Sequence, residues 1–135
     1  MRTALIIDDS ESALAYGKYM LERVGFCVSL AKDTTFEDAL DAQVFDLILV
    51  DFHMPSRNGA ECIAAIRCRS DQNARAAVFL CSGAADSLEV ATARVAGSDG
   101  AFVKPLCQKQ LSDLESELRN AKANSDAAQQ SREHG

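Results

Sequence analysis

Short apolar runs alternate along this chain with longer stretches in which apolar residues recur every three or four positions. The runs Thr3-Ile7, Cys27-Ala31, Leu47-Val50, Ala77-Cys81 and Ala101-Val103 have the length and composition of strands buried in a parallel sheet. Between the first two, Ser10 can cap a helix reaching about Val24. Its Ala13, Leu14, Tyr16, Gly17, Met20, Leu21 and Val24 form an apolar stripe, and Gly25 is placed to end it. Thr34 or Thr35 can cap a second helix through Ala42. A third is expected from Gly59 to Arg69 and a fourth from Ser87 to Ala96, ended by Gly97. The last runs from about Lys109 to Ala121, with Leu111, Leu114 and Leu118 on one face. Five strands and five helices in strict alternation predict an α/β fold. Its five-stranded parallel sheet would be doubly wound, with helices on both faces in three layers.

Polar groups stand where the strand candidates end. Asp8-Asp9 follows Ala4-Leu5-Ile6-Ile7, Asp51 follows Leu47-Ile48-Leu49-Val50, and Lys104-Pro105 follows Ala101-Phe102-Val103. In open α/β sheets the carboxyl edge is where ligands bind. Asp8 and Asp9 would point to opposite faces within a strand, but both can lean toward one pocket where the chain turns into a helix. Like charges about 4 Å apart repel by roughly 4 kcal/mol per pair at an effective dielectric of about 20. A cluster of three carboxylates therefore calls for positive charge. Mg²⁺, with Mn²⁺ as a substitute, and the ammonium of Lys104 would supply it and make a place for a phosphoryl group.

Composition narrows the classes. The chain has 135 residues, enough for one domain with a core and too few for two ordinary ones, and 47% are apolar, a globular composition. A net charge of -6 argues against general affinity for nucleic acid or anionic membranes. No apolar run approaches the roughly 18 to 20 residues that span a bilayer, and a cytoplasmic location is expected. The five cysteines form no CxxC pair and only two histidines are present, which disfavours a structural zinc site. Free thiols packed as small hydrophobes are expected. After Ala121 no large apolar residue remains, so residues 1-121 are expected to form the domain and 122-135 a frayed or disordered polar tail, with no output domain.

The segment Asp51-Phe52-His53-Met54-Pro55-Ser56-Arg57-Asn58-Gly59 resembles the D-x-x-M-P-x-x-[DN]-G segment of response-regulator receiver domains. Asp8-Asp9, Ser82 after Ala77-Cys81, and Lys104-Pro105 fall in the order and approximate spacing of that family, so the resemblance covers roughly residues 2 to 120. It implies a flavodoxin-like (βα)5 fold and a phosphoprotein of two-component signalling. By this resemblance Asp51 is the phosphoacceptor, served by a histidine kinase or histidine phosphotransfer protein. Asp9, Asp51 and the backbone carbonyl of His53 ligate Mg²⁺, and Asp8 acts through metal-bound water. Lys104 and Ser82 bind the phosphoryl group. Pro55, Gly59 and Pro105 are structural, Pro105 as the family's cis-proline, and Gly59 permits a turn closed to most residues. His53 and Ala84 stand at positions where phosphoryl lifetime is modulated in this family.

One position departs from the pattern. Receivers carry a large residue three before the lysine, where this chain has Ala101, and Phe102 should face the other side of the sheet. The aromatic part of the switch is thereby in question, and output is left to the Ser82-Ala84 loop and the fourth helix or to direct reading of the pocket. The function expected is a stand-alone, non-enzymatic regulator that binds an unidentified protein effector when phosphorylated. A homodimer through the fourth helix, last strand and last helix is a further expectation from the family. Two rivals are a phosphate sink or relay shuttle and a phosphate-independent binding module. A haloacid-dehalogenase-type phosphatase expects D-x-D-x-[TV] after its first strand, which Asp8-Asp9-Ser10 does not match.

Overall fold

The computed structural model describes residues 2–84 and 87–134. Its elements alternate as expected: β1 (Arg2–Ile7), α1 (Glu11–Arg23), β2 (Phe26–Ala31), α2 (Phe36–Ala42), β3 (Leu47–Asp51), α3 (Gly59–Arg67), β4 (Ala77–Ser82), α4 (Leu88–Ala96), β5 (Gly100–Val103) and α5 (Gln108–His134). A single 3₁₀ turn at Gln72–Arg75 is added before β4. The five strands are all parallel, in the order β2-β1-β3-β4-β5.

Two cores flank the sheet. Strand residues such as Leu5, Ile7, Ile48 and Leu80 pack with Phe36, Leu40, Ile63, Ile66 and Ala93, which places α2, α3 and α4 on one face. Ile6, Leu47 and Leu49 pack with Leu14, Leu21, Leu111 and Leu114, which places α1 and α5 on the other. The strands read as unbroken apolar runs because successive residues alternate between two buried faces. Ala101 packs against the first core and Phe102 against the second, where it stacks on Phe79 at 5.1 Å between centroids. The expected division of that pair holds.

Local chemistry sets the helix ends. Ser10 and Ser87 cap α1 and α4 by accepting from Ala13 N–H and Val90 N–H. Gly25 and Gly97, which follow these two helices, adopt positive φ of 102° and 122°. Helix α3 opens with a capping box: Asn58 accepts from Glu61 N–H at 2.9 Å, while Glu61 accepts from Asn58 N–H at 3.1 Å. Helix α5 continues beyond the expected end at Ala121. Its later residues include Ala, Lys, Gln and Arg, which favour helix without needing a core. The polar tail expected over 122-135 lies outside the residues whose side chains are described.

Two readings change. Gly59 does not hold a turn by positive φ; it is needed because a Cβ there would lie 2.6 Å from the Asp51 carbonyl oxygen and 2.9 Å from Phe52 Cα. All five cysteines are free, but only Cys62 and Cys81 are packed as small hydrophobes. Cys27, Cys68 and Cys107 are exposed. Burial first of all pushes the Cys62 and Cys81 thiols up to about 12, so both are unreactive near neutral pH.

Candidate functional site

The strand order reverses direction between β1 and β3, because β1 leads outward to β2 while β3 leads to β4 and β5. At such a switch point the loops above neighbouring strands diverge and leave a crevice at the carboxyl edge. Ile7 pairs with Val50, so Asp8 stands level with Asp51 across that crevice. Asp51 pairs with Cys81, and Ser82 with Val103, so Ser82 and Lys104 arrive one step further along their strands. Residues separated by up to 96 positions are thus brought to one edge by register alone.

The expected residues converge there. Asp8, Asp9 and Asp51 each offer a carboxylate oxygen within 4.8 Å of the others. Lys104 Nζ donates to Asp51 Oδ1 at 2.7 Å and to Asp8 Oδ2 at 3.3 Å. Asp8 is buried and is further fixed by Ser10 N–H at 3.0 Å, while Asp9 is exposed at the rim. The Lys104–Pro105 bond is cis. Below the carboxylates a cavity of about 440 Å³ extends toward Ile6, Leu49 and Gly17, where Tyr16 Oη donates to the Leu106 carbonyl at 2.5 Å.

Electrostatics are uneven across the central pair. Burial is the largest influence on the Asp51 carboxyl and raises it above the ordinary carboxylate range. Lys104 opposes this, while the charges of Asp8 and then Asp9 add to it. Burial alone would lower the Lys104 ammonium, but its hydrogen bond and charge contacts with Asp51 and Asp8 raise it overall. The lysine is satisfied by two carboxylates, whereas Asp51 shares one ammonium with crowded neighbours. Three carboxylates against one ammonium make a hard-oxygen donor set with excess negative charge, the kind that suits a small divalent cation.

Ser82 is 3% exposed, and its hydroxyl lies 3.2 Å from Glu89 Oε2, 3.2 Å from the Ala84 carbonyl and 3.3 Å from Ser87 Oγ. His53 is mostly exposed, and its Nε2 contacts Glu89 Oε1. Pro55 lies in the loop between β3 and α3, and Ala84 is exposed beyond β4. Two contributors were not anticipated. Asp33, 6% exposed, accepts from Ser56 N–H at 2.6 Å and Arg57 N–H at 3.1 Å, which pins the loop that follows Asp51. Glu89 bridges Ser82 and His53. Asp33 precedes a helix start and reads locally as a cap; nothing in its own segment signals a partner more than twenty residues away.

A family model described as the response regulator receiver domain matches residues 4–115. The chain belongs to that family. This receiver is 30% identical over 113 residues to the transcriptional regulatory protein CpxR of Escherichia coli, covering 82% of this chain and 46% of CpxR. It is 35% identical over 109 residues to the sensor histidine kinase AruS of Pseudomonas aeruginosa, covering 79% of this chain and 11% of AruS. The receiver thus spans less than half the length of these curated relatives. In fold it is similar to the chemotaxis response regulator CheY4 of Vibrio cholerae, with a TM-score of 0.78 at 24% identity over 87% of this chain and 98% of that one. A CheY-like receiver domain from Methanospirillum hungatei gives 0.79 at 21% identity, over 92% and 98%. The chain is a receiver domain of a two-component response regulator. Among the described residues no helix is long and apolar enough to cross a membrane.

Proposed function

We propose that this receiver accepts a phosphoryl group on Asp51 from a histidine of a partner kinase or phosphotransfer protein, and signals by changing its affinity for a protein effector. The receiver unit occupies residues 1-121. The observation that carries the reading is the Lys104–Asp51–Asp8 contact beside Asp9 at the sheet's switch point. Asp9, Asp51 and the His53 carbonyl would hold Mg²⁺, with Asp8 acting through metal-bound water, and the ion would supply positive charge to the carboxylates and to the phosphoryl oxygens.

The residues of the chain do the rest. A carboxylate oxygen of Asp51 attacks phosphorus in line with the departing imidazole; the O–P bond forms as the N–P bond breaks, and the imidazole leaves with its ring nitrogen restored. Lys104 shifts from Asp51 Oδ1 to a phosphoryl oxygen. Ser82 donates its hydroxyl to another. Phosphoryl transfer of this kind needs positioning and charge stabilisation more than covalent help, and these groups supply both. The machinery makes the receiver a phosphoacceptor rather than an enzyme acting on a separate substrate.

Incubation with a small acyl phosphate tests the reading. The expected product is one hydroxylamine-sensitive acyl phosphate per chain, formed with Mg²⁺ and absent with a chelator. The beryllofluoride-treated chain should then retain a protein partner that the Asp51→Asn variant does not. Rapid loss of phosphate without any change in partner binding would favour the sink or shuttle role.

A further inference from the structure

Glu89 has no part in the transfer chemistry, yet it touches two residues that border the site. It is the second residue of α4, after the cap Ser87 and Leu88. Its Oε2 accepts from Ser82 Oγ at 3.2 Å, and its Oε1 contacts His53 Nε2. One carboxylate therefore links the end of β4, the loop after β3 and the first turn of α4. Ser82 Oγ also stands 3.3 Å from the Ser87 hydroxyl, a second link to the same turn.

The Ser82 hydroxyl has a single hydrogen, so its acceptors are mutually exclusive. In the structure Glu89 Oε2 is the only charged acceptor on it among the described residues. A phosphoryl group on Asp51 would bring close to two negative charges and three strong acceptor oxygens to the same edge. It would compete for that hydrogen and repel the Glu89 carboxylate at once. Ala101 offers no polar or bulky group that could carry the change by another path, whereas the Ser82–Glu89 and Ser82–Ser87 contacts run directly into α4.

We propose that Glu89 is a positioning residue that holds Ser82 and His53 in the unphosphorylated arrangement and is released when a phosphoryl group on Asp51 takes the Ser82 hydroxyl, so that the first turn of α4 reports phosphorylation. The inference rests on the reading of Asp51 as phosphoacceptor and adds the carboxylate that restrains Ser82 and His53 before phosphorylation. Glu89 opposes occupancy of the site, because the phosphoryl group must break its bond to Ser82 before gaining its own.

The test uses the full chain as wild type, Glu89→Ala, Glu89→Gln, Ser82→Ala and the Ser82→Ala/Glu89→Ala double variant, titrated with beryllofluoride at saturating Mg²⁺. Amide spectra of Leu88, Glu89 and Val90 provide the second readout. The wild type is expected to bind with a shift of these amides. Glu89→Ala should bind roughly tenfold more tightly, a change of about 1.4 kcal/mol, and its free spectrum should already lie toward the bound one. Glu89→Gln, which keeps the size and removes the charge, should shift in the same direction. In the Ser82→Ala background the Glu89 substitution should alter affinity by only about threefold, because the shared bond is gone and charge repulsion alone is left. Equal affinities for wild type and both Glu89 variants, with the full α4 shift retained, would overturn the proposal while leaving Asp51 as acceptor. Lower thermal stability with unchanged beryllofluoride affinity would overturn it too. A wild type that binds no beryllofluoride overturns the phosphoacceptor reading itself.

Discussion

Lys104 Nζ lies 2.7 Å from Asp51 Oδ1 and so occupies ground that a phosphoryl oxygen would take. The lysine comes from β5 at one edge of the sheet and the aspartate from the central strand β3. Because burial and the neighbouring carboxylates outweigh the lysine's help, Asp51 holds its proton more tightly in the fold than in the unfolded chain.

A carboxyl raised by folding stabilises the protein when protonated and loses that contribution as pH rises through its raised value. Without a divalent cation, Asp51→Asn should therefore raise the midpoint of thermal unfolding by a few degrees at neutral pH. The advantage should vanish below pH about 4, where the unfolded carboxyl is protonated as well. Adding Mg²⁺ at ten times its dissociation constant should stabilise the wild type by about 1.4 kcal/mol and leave Asp51→Asn much less affected. Thermal melts across pH, with and without chelator, measure both effects.

Asp33 behaves in the opposite sense. Burial would raise its carboxyl, but the Ser56 and Arg57 backbone donors, followed by its own and Thr34 N–H, hold it below the ordinary range. Its contribution is present above the unfolded carboxylate pKa and is lost as pH falls through the lowered value. Asp33→Ala should cost about 1 to 3 kcal/mol by leaving two backbone donors unpaired. It should also speed amide exchange at Ser56 and Arg57 while the strands of the sheet stay protected. In the wild type, protection of these amides relative to their intrinsic exchange should fall only in acid, where Asp33 becomes protonated.

Gly59→Ala tests the backbone on which Asp51 stands. The added methyl would press on the Asp51 carbonyl and Phe52 Cα, and neither can rotate away. A loss of about 1 to 3 kcal/mol in urea unfolding is expected. Even the folded fraction should accept phosphate more slowly, since Asp51 is displaced. Gly83→Ala, where a Cβ meets nothing within 4 Å, is the matched control.

The parts of the fold legible in the sequence are those governed by local pattern. Runs such as Ala4-Ile7 and Leu47-Val50 declare buried strands, Leu111, Leu114 and Leu118 declare a helix face, and Gly25 and Gly97 mark helix ends. Asp8, Asp9, Asp51, Ser82 and Lys104 could be gathered from strand ends because parallel strands deliver their last residues to one edge. The Asn58 and Glu61 capping box is also written in the sequence, as a polar residue followed three positions later by Glu. Asp33 and Glu89 were hidden for a different reason. Each works across a gap between elements, through contacts of 23 and up to 36 positions in sequence separation that no local pattern encodes. The role of Gly59 was visible but its cause was not, since close approach of the Asp51 backbone exists only once β3 and α3 are packed.

Borohydride reduction of the phosphodonor-treated chain, followed by peptide mass spectrometry, tests the central claim most directly, because it converts an acyl phosphate into a stable alcohol at the residue that carried it. The account predicts a single reduced aspartate at position 51, formed with Mg²⁺ and absent from the chelated sample. A mark on Asp8, Asp9 or any other carboxylate, or a mark at Asp51 indifferent to the cation, would contradict it.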